Sequence, residues 1–338
     1  LPSGEADLSR LGFDFSTAYR LYTRLVAPIE PRLAGASRIM IVPDDALHYL
    51  PIELLVDGLP GVKISGDALF AECEQAGFLV RRLTMSYLTS AAQFLDGPGS
   101  SGSATSAPTL LAMANPTARK DSGETGREDP VRRRLRSAGF GETLAPLPGS
   151  AEEVARIRRF FPAGRATVLT GAGASEASYK ALSPRSGIIH FATHAIAADD
   201  HPFYSTLVLA PGSKDGEDGF LQAYEILRCP VEARLVVMSA CETARGPVSR
   251  GEGLVGLVSA FFQAGARSVL ATQWSIDESA ADLMASFYRV LTGGGEAASA
   301  LRAAKLDLLK KRLKFAGTEV SLAHPFFWAP FVLIGSGD

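Results

Sequence analysis

Cysteine is scarce: the 338 residues include three, Cys73, Cys229 and Cys241. An odd count without paired C-x-x-C spacing excludes a disulfide scaffold and a thiolate zinc cage, and fits reduced thiols. Charge of either sign is not in excess. The 34 basic residues against 36 acidic ones leave a formal charge of −2, so no long-range field favours a nucleic-acid backbone or an anionic membrane, and neither is expected as a partner. No run reaches the ~18 apolar residues of a membrane-crossing helix. The opening LPSGEADLSR lacks the basic and then apolar pattern of a secretory leader, so a cytoplasmic setting is expected. Because the chain starts at Leu1 rather than Met, it reads as a domain cut from a longer protein, with a preceding region missing. Phosphate loops are absent as well: GAGAS and TGGGEAAS have neither the spacing nor the Lys required. No cofactor and no metal are expected.

What is present is apolar surface, 46% of residues, enough for two domains or two fused halves. The Gly/Ser-rich stretch GPGSSGSATSA places the boundary, giving halves 1–107 and 108–338. In the first half, a helical pattern runs from about Asp14 to Leu33 and is interrupted by Pro28 and Pro31. Ile39 to Val42 and FLVRRLTMSYL read as strands. The second half opens with the strand TLLAMANP, then a charged, glycine-rich segment (about 116–147) expected to be a mobile loop. Its basic cluster Arg132, Arg133, Arg134 and Arg136 reads as a solvated run rather than a binding patch.

Helix and strand then alternate. Ser150 to Glu153 has the S-x-x-E form of a capping box at the head of a helix through Phe161. After TVLTG and a short helix at Ser175 to Leu182 come the strand GIIHFATH, a hairpin-like STLVLAP, a helix LQAYEIL and the strand ARLVVMSAC. A helix with Leu254, Leu257, Val258, Phe261 and Phe262 on one face ends at Gly265, before the strand SVLATQW, a helix from Asp277 to Leu291, and HPFFWAPF as a terminal strand. This alternation predicts an α/β fold with a largely parallel sheet covered on both faces. In such sheets chemistry gathers at the carboxyl ends of the strands.

Two reactive side chains stand at such ends. His194 follows GIIHFAT, and Cys241 follows RLVVMSA. His190, in mid-strand, reads as a packed structural residue; the H-x-x-x-H spacing is a metal pair on a helix, but on a strand it separates the rings by about 13 Å. His324 reads as hydrogen-bonded rather than catalytic, and Cys73 and Cys229 as inert thiols.

HFATHAIAADDHPFYSTLVLA, VVMSACETARGPVSRGEGLVGLVSAFFQAGARSVLATQWSIDE and HPFFWAPFVLIG, with LYTRLVAPIEPRLAG and IVPDDALHYLPIELL before them, resemble the CHAT-domain family, caspase-like cysteine peptidases related to separase. The resemblance implies a caspase-like α/β/α sandwich preceded by a degenerate, pseudo-peptidase half. It implies Cys241 as nucleophile, His194 as its base, and the backbone N–H groups of Ala195 and Cys241 as an oxyanion hole. Ala195 stands where relatives carry glycine, a departure that matters if the backbone there needs angles only glycine adopts. Glu242, beside the nucleophile, is expected to fix the turn.

The segment WSIDESAAD resembles the separase stretch lining the pocket for the residue before the cut (P1). Asp277 is then the leading acid, with Glu278, Asp282 and Trp274 beside it, and a basic P1 is expected; Asp277 and Glu278 also suit a helix N-terminus. The implied activity is cleavage of a protein substrate, such as a pore-forming or other effector protein, in bacterial defence or regulated cell death. An activating partner, the missing N-terminal region or the loop from Arg119 to Glu142 would control it. A catalytically silent scaffold and another thiol-dependent hydrolase or acyl transferase are the alternatives.

Overall fold

The computed structural model describes residues 11–59, 61, 68–92, 109–116, 147–198, 201–212, 217–239, 252–274, 279–315 and 317–337. The charged segment 117–146, with its arginine cluster, and the whole Gly/Ser-rich stretch lie outside them.

Helix α1 (Phe15–Leu25) is capped by Asp14, whose carboxylate accepts from Thr17 N at 2.9 Å. It stops short of the expected Leu33 because Pro28 and Pro31 remove backbone donors, and Ala27–Arg32 winds as a 3-10 turn instead. Strands β1 (Arg38–Ile41) and β2 (Thr84–Tyr87) follow, with Leu79–Arg81 a 3-10 turn where the sequence suggested strand.

After β3 (Leu110–Pro116), helix α2 (Pro148–Arg158) starts with a proline in its first turn and Leu147 as N-cap. The expected capping box does not form. Ser150 sits inside the helix, its Oγ donating to Leu147 O and accepting from Asn115 N, and Glu153 turns inward. Next come β4 (Ala166–Gly171), α3 (Glu176–Leu182, capped by Ser175), β5 (Ile188–Ala192), β6 (Ala195–Ile196), β7 (Thr206–Val208) and β8 (Phe220–Gln222). In LQAYEIL the first residues belong to β8, so helix α4 is only Ala223–Ile226, with Gln222 and Glu225 as its capping box. The remaining elements are β9 (Leu235–Met238), α5 (Glu252–Ala264), β10 (Ser268–Thr272), α6 (Ser279–Thr292), α7 (Ala297–Leu308), β11 (Arg312–Phe315), β12 (Thr318–Ser321) and β13 (Phe331–Gly335). HPFFW is not strand: His324 Nδ1 accepts from Phe326 N and caps a 3-10 turn, Pro325–Phe327.

The chain forms two compact units, Leu1–Gly97 with Ile276–Asp338, and Pro98–Ser275. The sequence reading places a single boundary at 107/108, whereas these units divide at 97/98 and again at 275/276, so Ile276 onward groups with the first segment. The reason is pairing: β13 runs parallel to β2, and α7 packs on both.

In the unit 98–275 the strands run parallel in the order β10-β9-β5-β3-β4. All residues of β5, β9 and β10 are buried, as in a sheet covered on both faces. One face meets α2 through Val154 and Ile157. On the other, Phe191 of β5 touches Tyr179 of α3 (centroids 5.6 Å apart) and Phe261 of α5 (5.8 Å). Helix α5 buries Leu257, Val258 and Phe261 as its pattern predicts. It ends at Gly265, whose φ of +117° and approach to Val231 O, 2.4 Å from where a Cβ would stand, leave no room for another residue. A small antiparallel sheet, β6-β7-β8, follows directly on the end of β5.

The other unit is built on β1-β2-β13, all parallel, with the β11-β12 hairpin. Its core includes Leu55, Phe78, Leu79, Phe327, Trp328 and Phe331. Within it lie two charged groups, Glu53 and Lys305, 2.7 Å apart. Among the described residues no helix is long and apolar enough to cross a membrane.

Candidate functional site

Register brings the site's strands together. Phe191 of β5 lies opposite Met238 of β9, and Met238 lies opposite Ala271 of β10. Three residues beyond each of these partners come His194, Cys241 and Trp274. Three neighbouring parallel strands thus send their chains off one edge at equal offset. Cys241 itself, with Asp277 and Glu278, lies outside the described residues.

His194 is 6% exposed. Its carbonyl accepts from Val208 N at 2.8 Å, and Thr193 Oγ1 donates to Val208 O, so the exit from β5 is fastened to β7. In an antiparallel pair, hydrogen-bonded and non-bonded positions alternate. With 194/208 bonded, Ala195/Leu207 is the non-bonded pair, and the Ala195 N–H points away from β7. Ala195 has no positive φ and lies in strand geometry. Its methyl is therefore tolerated without strain, which removes the conformational objection to alanine at that position.

Below this edge is a carboxylate that reads as a cap in the sequence. Glu153 of α2 is buried, with Oε1 2.9 Å from His190 Nε2 on β5 and Oε2 accepting from Ser239 Oγ, just past β9, at 3.2 Å. His190 is fully buried. Nothing in the local pattern signals Glu153, because both of its partners come from distant strands.

Trp274 is half-buried at the end of β10. Asp282 is taken: its carboxylate accepts from Lys311 Nζ at 2.9 Å, within the unit containing α6. Burial raises the thiols of Cys73 and Cys229 above the ordinary range, so neither is a ready nucleophile. His324, pushed down to about 4 by burial, is neutral at physiological pH.

The sheet that starts at Ala195 is anchored at its far end by a lysine and three glutamates. Lys180 Nζ lies 2.8 Å from Glu217, 3.2 Å from Glu225 and 3.5 Å from Glu176. Among the described residues, those three glutamates are the one group with the spacing to hold a metal; the lysine ammonium already occupies their centre. Glu176, 1% exposed, accepts from Gly219 N at 2.5 Å. Burial, its hydrogen bond to Glu217 and the charge of Glu225 raise it from the usual 4.5 to about 8.

Because the folded value lies above the unfolded one, Glu176 contributes stability that is complete below pH 4.5 and is lost as pH rises through about 8. Glu217 is held low by Glu176 and Lys180, and acts only below its own ordinary 4.5. Denaturation measured from pH 5 to 8.5 should therefore show stability falling by up to about 1.4 kcal/mol per pH unit. Glu176→Gln, which keeps an acceptor for Gly219 N and a donor for Glu217, should flatten that slope. A native slope persisting in the variant would refute the assignment.

The description "CHAT domain" matches residues 16–336. Tetratricopeptide repeat protein 28 of Homo sapiens is 24% identical over 357 aligned residues, covering 94% of this chain and 13% of that protein. Its Mus musculus counterpart is 34% identical over 117 residues, 34% of this chain and 4% of the relative. The chain thus spans a small part of these relatives' length. Among solved structures, the Saccharomyces cerevisiae separase-securin complex overlaps 96% of this chain and 17% of that one at 12% identity and a TM-score of 0.48. The Arg-specific cysteine proteinase gingipain R overlaps 96% of this chain and 66% of that one at 7% identity and a TM-score of 0.42.

Proposed function

The chain belongs to the CHAT domain family, and from that premise we propose that it is a cysteine endopeptidase using Cys241 and His194. The observation that supports this reading most is the register of β5 on β9: the two residues stand at the same offset beyond one cross-strand pair, Phe191 and Met238. Neighbouring strands lie about 4.8 Å apart, a spacing from which an imidazole and a thiol can meet.

In this mechanism His194 takes the thiol proton and the Cys241 thiolate attacks the scissile carbonyl. The developing oxyanion is met by the N–H groups of Ala195 and Cys241, the former directed away from its own ladder. The imidazolium then protonates the departing amine, and water, deprotonated by the neutral ring, hydrolyses the thioester. The substrate is a protein, cut after a basic residue recognised by Asp277, with Glu278 and Trp274 supporting the pocket. The setting proposed is cytoplasmic, in defence or regulated cell death, with a partner or preceding region as activator.

The test is intact-mass labelling with an arginyl acyloxymethyl ketone. One adduct on the native chain that is missing from Cys241→Ala supports the reading. No adduct with a P1-randomised probe set, with partner extracts added, would replace it with the scaffold alternative. For specificity, Asp277→Ala should lower the preference for arginine over leucine at P1 by about tenfold or more, since a bidentate carboxylate partner is lost. An unchanged preference in peptide-library cleavage would eliminate Asp277 from the pocket.

A further inference from the structure

We propose that Glu153 is a positioning residue for the dyad, a single buried carboxylate that fixes the exits of β5 and β9 against each other. The proposal rests on the peptidase reading above.

Its two described partners lie on β5 and just past the end of β9. His190 is four residues before His194, and Ser239 is two residues before Cys241. The register explains how one group reaches both: His190 pairs with Val237, so the side chains of His190 and Ser239 fall on the same face of the sheet, beneath α2. Each carboxylate oxygen takes one partner, 2.9 Å to His190 Nε2 and 3.2 Å to Ser239 Oγ.

Packing alone does not call for a carboxylate here. The neighbouring inward positions of α2, Val154 and Ile157, are apolar and wholly buried, and burying an acid costs free energy that an aliphatic side chain avoids. What the acid adds is geometry. One carboxylate oxygen lies against the His190 ring and the other accepts from the Ser239 hydroxyl, so a slide of β9 against β5 lengthens at least one contact. Displacement of about 1 Å in a reacting group can cost about 10²-fold in rate.

The test measures kinact and KI for the acyloxymethyl ketone with the whole chain as native, Glu153→Gln, Ser239→Ala and the double variant. The amide of Glu153→Gln keeps one acceptor and turns the other position into a donor, so one arm is lost without loss of volume. We expect kinact to fall about 10- to 100-fold in Glu153→Gln, with KI within about twofold and one adduct per chain at completion. Ser239→Ala should lose less, and the double variant no more than Glu153→Gln alone, because Ser239 acts through that carboxylate.

Native kinact in Glu153→Gln would overturn the proposal. So would a lowered final adduct yield with native kinact in the fraction that reacts, since that marks support of the fold only. If Glu153→Gln does not fold, Ser239→Ala decides, and an unchanged kinact there is fatal. A native chain that takes no label removes both the peptidase reading and this one, whereas a labelled native chain with an indifferent Glu153→Gln removes only the role of Glu153.

Discussion

Cys241→Ala is expected to take no acyloxymethyl ketone at any pH between 5 and 9, and His194→Ala to react about 10²- to 10⁴-fold more slowly than the native chain at pH 7. Labelling at a single site follows from the other two thiols: Cys73 is fully buried, and burial raises both it and Cys229, so neither is appreciably thiolate at neutral pH. The remaining cysteine is reactive only if something lowers its proton affinity. In the proposed dyad that group is His194. The pH–rate profile separates this from simple exposure. In the native chain, rate should rise with a midpoint below the ordinary thiol value of about 8.5, and in His194→Ala the midpoint should move up toward it. A His194→Ala profile that overlays the native one would show that the imidazole takes no part.

The alternation of strands and helices in 108–275 was legible because a parallel sheet buried on both faces needs continuous apolar runs, and GIIHFA, RLVVM and SVLAT are such runs. His194 was legible for a related reason: an ionisable ring closing such a run stands at a strand's carboxyl end. Two kinds of feature were not. Proline and side-chain caps set local boundaries more finely than hydrophobic pattern does, so α1 ended early and HPFFW turned instead of extending. Long-range polar pairs leave no local trace. Glu153 satisfies the S-x-x-E pattern by coincidence, while its side chain lies against His190 of β5 and accepts from Ser239 just past β9. Asp282, three residues past the helix start at Ser279, pairs with Lys311, 29 residues further along the chain, which no local pattern signals.

Lys305 and Glu53 are the extreme case, 252 residues apart in sequence and 1% and 3% exposed, and they carry the largest stability prediction. Lys305 Nζ donates to Glu53 Oε1 at 2.7 Å, Tyr87 donates its hydroxyl to Oε2, and Ile52 N donates to that same hydroxyl at 2.8 Å. The ammonium also lies 5.8 Å from the centre of the Trp328 ring. Burial lowers the lysine's proton affinity, and Glu53 offsets part of that. Lys305→Met preserves most of the side-chain volume but leaves the buried Glu53 carboxyl without its partner. It should therefore destabilise the unit containing α7 by about 3–5 kcal/mol, since removing one member of a buried pair exposes the full desolvation cost of the other. Glu53→Gln in the same chain removes that carboxyl while keeping an acceptor for the Tyr87 hydroxyl, and should recover about half of the loss or more. The check is denaturant unfolding followed through Trp328, with Trp274→Phe as background so that only the buried ring reports. A loss under about 1 kcal/mol in Lys305→Met would mean that Glu53 reaches water without its partner, and a double variant worse than the single would mean that the pair contributes net stability beyond mutual neutralisation.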